Sequence, residues 1–303
     1  MERLCQACFY LRSKVPLSKE MKYSLIICSL LCIVSPCGGQ SLTDTVYLWD
    51  EGAPGFPDRK DIPERAQDWW VRDIHHPNIT VFEPEKPSGL GAVIFPGGGH
   101  SSLVYNSEGK RAARHLNEMG ITAFVIKYRL FREENLGYTV GHAKQDAFRA
   151  MRMTRNIAAK YGVDPDRIGV LAFSAGGELA SLLSFSSDTL DTRNSIDTLP
   201  HRPRFLIQVY PGPLFIPQDK IPTDAPPAFL VASNNDECCA ETNIQLLQLY
   251  RNARIPIEFH LFSHGGHAFN MGDKWPHLKT IHEWPQRLLQ QWFTDWNYFK
   301  KDD

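Results

Sequence analysis

Three side chains able to pass one proton between them each stand just beyond an apolar run. Ser174 closes the run Ile168-Gly-Val-Leu-Ala-Phe173 and is followed by Ala175, Gly176 and Gly177. A serine hydroxyl is a poor nucleophile at neutral pH; it needs a base, and the base needs a carboxylate to orient it. Downstream, the run at 228–231 leads into Ser233-Asn-Asn-Asp236-Glu237, and the run at 257–262 leads into Ser263-His264-Gly-Gly-His267. Asp236 is the carboxylate placed to orient a base, with Glu237 next in preference. His267 is the base, because Gly265 and Gly266 let a loop present it. His264 lies closer to the strand and His260 inside it. Taken singly, each residue has a plain structural reading: Ser174 a helix cap, Asn-Asn-Asp a turn, His267 a loop histidine. Together, in the order serine, acid, histidine, they describe acyl transfer through a covalent intermediate.

Such chemistry needs a pocket for the negative charge that develops on the attacked carbonyl. The run at 92–95 ends in Pro96-Gly97-Gly98-Gly99-His100. Glycines there let backbone N–H groups approach an oxyanion. One donor is expected from Gly98 or Gly99 and the other from Ala175. His100 either lines the substrate site or faces solvent. The loop lacks the Lys-Ser/Thr pair of a P-loop and the spacing of a dinucleotide fingerprint. The close histidine pairs, His264 with His267 and His75 with His76, have no further ligands at a recognised metal spacing. No cofactor and no metal is called for.

These residues require strand ends to hold them. Strands are expected at 79–82, 92–95, 123–126, 168–173, 205–209, 228–231 and 257–262. Helices are expected at 107–119, 140–161, 242–253 and 280–298, with another after Ser174. Short apolar strands alternating with helices predict an α/β fold, a mostly parallel central sheet with helices on both faces. In such sheets ligands sit at the carboxyl ends of the strands, where each motif above falls.

The chain has 303 residues, 43% of them hydrophobic, and a net charge of -1. It can bury a sizeable core, and its charge gives no electrostatic case for nucleic acid or an anionic membrane surface. Of seven cysteines, five lie before residue 40, so a disulfide framework does not hold the body together. Cys238 and Cys239 are read as two reduced, buried thiols, with a disulfide between neighbours as the alternative. Residues 21–39 have the order of a secretory signal peptide: a basic start at Lys22, an apolar core at 25–34 and small residues near Gly39. That core is too short to span a membrane. Residues 1–20 are read as a spurious or extended start, 40–84 as an irregular arm rich in Trp and Pro, and 85–303 as the catalytic domain. Export to a secreted or periplasmic location is expected, with a lipid anchor at Cys37 of Val34-Ser-Pro-Cys37 as the alternative.

Several ordered motifs resemble one family. Phe95-Pro-Gly-Gly-Gly99, Lys144-Gln-Asp146-Ala-x-Arg149-Ala-x-Arg152, Gly162-Val-Asp-Pro-Asp-Arg-Ile-Gly169, Phe173-Ser-Ala-Gly-Gly177 and Gly265-Gly-His267 are similar to those of the bacterial esterases of the α/β-hydrolase fold. That group includes acetylxylan and feruloyl esterases, and its members are often labelled lipase/esterase or xylanase-like. The resemblance covers roughly residues 85–300. It implies Ser174 as nucleophile, Asp236 as orienter and His267 as base, on a small acyl ester or polysaccharide substrate. Three positions depart from the patterns: Ala172 replaces the glycine two before the serine, Glu178 stands where a histidine is expected, and Pro96 stands where the hormone-sensitive-lipase-like branch has a histidine before its glycines. The segments at 185–204 and 211–227 are too short for a large apolar lid, which disfavours long-chain lipids. A serine peptidase of the same fold and a non-catalytic carbohydrate-binding descendant are the rival readings.

Overall fold

The computed structural model describes residues 44–187 and 192–299. The expected leader at 21–39, including Cys37, and the segment before it lie outside the described residues. An eight-stranded sheet organises the rest. Its strands are β1 (Asp44–Tyr47), β4 (Asn78–Phe82), β5 (Gly91–Phe95), β6 (Thr122–Lys127), β7 (Ile168–Phe173), β8 (Leu206–Val209), β9 (Ala228–Ser233) and β10 (Ile257–Phe262). A separate hairpin pairs β2 (Arg65–Ala66) with β3 (Val71–Arg72). The order across the large sheet is β1-β4-β6-β5-β7-β8-β9-β10. Pairing is antiparallel between β1 and β4 and between β4 and β6, and parallel from β6 onward.

Burial follows that order. Every residue of β5, β7, β8 and β9 is buried, as strands covered by helices on both faces must be. The edge strand β1 alternates between half-buried and exposed positions. The covering helices are α1 (Ala112–Glu118), α2 (Val140–Ile157), α3 (Ser174–Phe185), α4 (Ala240–Ala253), α5 (Lys279–His282) and α6 (Gln290–Asp295). Helix α2 starts at Thr139, where Thr139 and His142 satisfy each other's free backbone donors. It buries Ala143, Ala147, Ala150 and Met151 against the sheet.

Three elements differ from expectation. The arm at 40–84 is not wholly irregular: β1 extends the main sheet and β2–β3 form a hairpin. The helix expected at 107–119 begins earlier, with a wider π-type stretch at Tyr105–Arg111. The single C-terminal helix expected at 280–298 is broken into α5, a π-type stretch at Pro285–Leu289, and α6. Pro285 has no N–H to continue the helical ladder.

The motif around Asp146 proves to be a clamp on the arm. Arg129, just past β6, and Asp146 on α2 are both fully enclosed. Arg129 gives Nε and Nη2 to the two carboxylate oxygens at 2.9 and 2.8 Å, and its Nη1 reaches the carbonyl of Pro54 at 2.8 Å. Trp49 Nε1 donates to Asp146 at 3.0 Å. Arg149 reaches the carbonyl of Leu48 at 3.0 Å and pairs with Asp197 at 2.8 Å. Removing one partner of a buried ion pair strands the other without a counter-charge. Asp146→Ala is therefore expected to cost roughly 3–5 kcal/mol of stability, read as a lowered midpoint in denaturant unfolding. An unchanged midpoint would contradict the clamp.

Candidate active site

Ser174 sits between β7 and α3 with φ of 48°. This left-handed conformation is costly for a residue with a side chain and is found at functional turns. The turn works because Gly176 has no side chain. A Cβ there would lie 2.1 Å from the carbonyl oxygen of Phe95, so the serine loop and the end of β5 pack backbone to backbone. Ala172 is fully buried opposite Phe95 on β5, so the extra methyl is accommodated.

Ser174 Oγ lies 2.9 Å from His267 Nε2, and His267 Nδ1 lies 2.8 Å from Asp236 Oδ2. The three residues chosen from their order along the chain thus form one hydrogen-bonded series. The other Asp236 oxygen accepts the N–H groups of Cys238 and Cys239 at 3.0 and 3.2 Å. Its carboxylate is fully enclosed, while the His267 side chain is 31% exposed. Glu237 is exposed, and His264 is exposed and turned toward Ser263. His260 pairs with Glu258 inside β10. The loop bearing His267 is held by its own glycine: Gly266 N–H donates to Asn235 Oδ1 at 2.9 Å and Ser233 Oγ at 3.2 Å.

Cys238 and Cys239 are joined in a disulfide. This corrects the expectation of two reduced, buried thiols, since Cys238 is also exposed. The tight turn at 236–239, closed by Cys239 N–H on Asp236 O, brings the two sulfurs to one side. Donor atoms of Asp236, Cys238, Cys239 and His267 lie within 4.8 Å of one another, but the sulfurs are bonded together and Asp236 holds His267. Of the other histidine pair, His75 bonds Tyr138 at 2.6 Å and His76 bonds the carbonyl of Trp49 at 2.9 Å.

The glycine loop lies against the nucleophile turn. Gly98 and Gly99 have φ of 122° and 65°, a conformation open to glycine. Among the described residues neither N–H has an acceptor. The first N–H groups of a helix are likewise free of helical partners, and Ala175 lies in the first turn of α3. These are the donors an oxyanion needs. His100 does not face solvent: it is fully buried, and its Nε2 lies 2.7 Å from Glu178 Oε2. Glu178 also accepts the N–H of Leu214 at 3.2 Å. The unexpected glutamate on α3 thus meets the histidine of the glycine loop, and the pair ties that loop to the helix that carries Ser174.

Sequence reasoning missed Glu108. Its Oε2 accepts Gly97 N–H at 2.6 Å, and Tyr210 Oη lies 2.9 Å from its Oε1. Tyr210 Oη also lies 2.8 Å from Asn270 Oδ1 and accepts Asn270 N–H at 3.1 Å. The Tyr210 ring packs on His267 with centroids 4.7 Å apart. Glu108 therefore links the glycine loop to the histidine loop from below. The available signal was its phase: Glu108, Ala112 and Leu116 are four apart, on the buried face. Burial pushes the Glu108 carboxyl up to about 7, against the pull of Gly97 N–H and Tyr210. Proton count agrees with a neutral acid. A tyrosine has one hydrogen, so a protonated Oε1 gives its own to Tyr210, whose hydrogen then goes to Asn270.

An acid whose carboxyl is raised on folding contributes stability that is complete below its unfolded value near 4.5. That contribution is lost as pH rises through about 7. Glu108→Gln keeps both bonds without a titrating proton. The stability of the wild-type chain relative to Glu108→Gln is expected to fall by on the order of 3 kcal/mol across that window. Thermal unfolding of both proteins at several pH values checks this, and parallel curves would contradict it.

The sheet order, a serine on a strained strand-to-helix turn and an acid–histidine pair from the next strand ends define an α/β-hydrolase. Comparison with known proteins agrees. Residues 81–209 match the BD-FAE family model. The chain is 29% identical to an acetylxylan esterase of Xylanibacter ruminicola over 225 residues, 64% of this chain and 44% of that protein. It is 25% identical to endo-1,4-beta-xylanase B of Butyrivibrio fibrisolvens over 211 residues, 60% of this chain and 32% of that protein. The chain thus spans less than half the length of these curated relatives. Among solved structures, an acetyl ester-xyloside bifunctional hydrolase from Caldicellulosiruptor lactoaceticus aligns with a TM-score of 0.67 at 25% identity, covering 84% of this chain and 97% of that one. An esterase of Thermogutta terrifontis, at 21% identity and a TM-score of 0.62 over 75% of this chain and 90% of its own, shares the fold. The chain has the α/β-hydrolase fold, and the proteins it resembles include esterases.

Proposed function

We propose that this chain is a serine carboxylic ester hydrolase that removes short acyl groups, acetyl above all, from a carbohydrate such as acetylated xylan. The hydrogen-bonded series Ser174–His267–Asp236, at 2.9 and 2.8 Å, carries this reading. His267 Nε2 takes the Ser174 proton as Oγ attacks the ester carbonyl. The oxyanion is received by Ala175 N–H and by Gly98 or Gly99 N–H. His267 then gives the proton to the departing sugar oxygen, and the acyl group stays on Oγ. Water, deprotonated by His267, attacks the acyl-enzyme and releases the acid. Asp236 holds the imidazole in the required tautomer throughout.

Several observations support the substrate class. The similarity to an acetylxylan esterase and to an acetyl ester-xyloside hydrolase points to acylated xylan. The described parts of the segments flanking β8 contain one short 3-10 turn, Ser195–Thr198, which favours an open site over a lidded lipid site. Similarity to a xylanase does not bring xylanase chemistry with it. A glycosidase needs two carboxylates flanking the bond. The carboxylates around Ser174 are committed elsewhere: Asp236 to His267, Glu178 to His100 and Glu108 to the buried tyrosine. Export to an external polymer, expected from the signal-peptide pattern at 21–39, is part of the same proposal.

Acetate release from acetylated xylan, measured beside a Ser174→Ala control, tests this. Serine-dependent release supports it. Serine-dependent hydrolysis of small nitrophenyl esters alone would keep the esterase and remove xylan. Serine-independent release would overturn the mechanism. Among the described residues no helix is long and apolar enough to cross a membrane.

A further inference from the structure

A cavity of about 420 Å³ opens on the same end of the sheet as Ser174, under the arm at 60–64 and beside the first strands. Its wall includes Tyr47, Asn78, Thr80, Asp61 and Lys127. We infer that this cavity is an accessory subsite for a neutral glycan, the sugar chain of a polymeric substrate rather than its acyl group.

Position is the first argument. Lys127 ends β6, Asn78 pairs with it on β4, and Tyr47 pairs with Asn78 on β1. These residues therefore sit at the carboxyl end of the parallel strands, where β7 delivers Ser174. From β7 to β1 is four strand spacings, roughly 20 Å, a span for a short run of linked sugar rings. The nearby β2–β3 hairpin carries Trp69, more than half exposed, at its tip. The hairpin is fixed to the segment following the glycine loop by paired backbone bonds between Val71 and Leu103, both 2.9 Å.

The chemistry of the wall is the second argument. Tyr47 keeps 46% of its surface exposed and stacks on His76, with centroids 3.9 Å apart and planes 17° from parallel. A rigid aromatic face of this kind suits the apolar face of a sugar ring, as amphipathic rings serve binding surfaces elsewhere. Asn78 is only 6% exposed; its amide nitrogen gives to the carbonyl of His76 at 3.0 Å, and its Oδ1 has no partner. Thr80 Oγ1 accepts Tyr105 Oη–H at 2.7 Å and keeps its own hydrogen to give. The lining charges are of both signs, Lys60 and Lys127 against Asp61, Glu64 and Asp73, and Lys127 pairs with Glu64 and Asp73 with Arg65. Donors and acceptors interleaved around an aromatic face, without a dominant charge, fit a polyhydroxylated ring better than an anion or an acyl chain.

The choice of glycan rests on the carbohydrate-ester reading, so the test reads binding separately from hydrolysis. Isothermal titration of the full chain with an unacetylated linear xylo-oligosaccharide is expected to show binding. Tyr47→Ala should weaken it about fivefold or more, and Tyr47→Phe should retain it. Tyr47→Ala should also raise KM on acetylated xylan by a similar factor while leaving kcat/KM on nitrophenyl acetate and the unfolding midpoint unchanged. No oligosaccharide binding by the wild-type chain, or equal binding by Tyr47→Ala, overturns the subsite. Binding lost in Tyr47→Ala in a chain that hydrolyses no ester would leave the subsite standing and sink the esterase reading alone.

Discussion

Ser174→Ala is expected to lower kcat for short nitrophenyl esters by on the order of 10⁶-fold, to the level the oxyanion donors alone supply. In the proposed mechanism Ser174 Oγ is the atom that becomes acylated, and no other hydroxyl in the hydrogen-bonded series can replace it. Stability should change little, because the side chain is only partly buried and its bond to His267 faces the open end of the sheet. KM should also change little, since the alanine leaves the glycine loop and the start of α3 in place. Steady-state kinetics of the purified variant would check this. A loss of less than tenfold would mean that the 2.9 Å contact with His267 is not a catalytic one.

The second large effect is expected at Asp236. Replacing it with asparagine preserves the oxygen that accepts Cys238 and Cys239 N–H. It places an N–H₂ group where Oδ2 met His267 Nδ1. The histidine must then present an unprotonated Nδ1 and carry its hydrogen on Nε2, the atom that should receive the serine proton. A loss of about 10⁴-fold in kcat is expected for this wrong tautomer. Glu237→Gln is the matching control. Glu237 is exposed and bonds nothing in the series, so its removal should leave kcat within about twofold, as surface substitutions generally do. Equal losses for the two variants would overturn the assignment of the orienting carboxylate.

How far the sequence spoke depended on how local each signal was. Strands β5, β7 and β9 read clearly because burial on both faces leaves near-continuous apolar runs. Ser174, Asp236 and His267 read clearly because each follows such a run, so strand ends found from pattern also located chemistry. β1 did not read, because Asp44–Tyr47 is a short edge strand whose place is set by pairing with β4. The C-terminal break was signalled by Pro285 but overridden by the surrounding helical period. The support beneath the site was the least legible part. Glu108, Tyr210 and Asn270 meet across more than 160 residues of chain, and nothing local announces such a meeting. His100 and Glu178 show the same limit: each was noticed alone, as a loop histidine and as a departure from a motif, while their pairing required the fold.

The most direct measurement is mass spectrometry of the chain acid-quenched during turnover of an activated acetyl ester. The proposed mechanism predicts one acetyl group on the peptide that contains Ser174, absent from the Ser174→Ala protein. Turnover with no covalent adduct, or an acetyl group carried reproducibly on another residue, would contradict it.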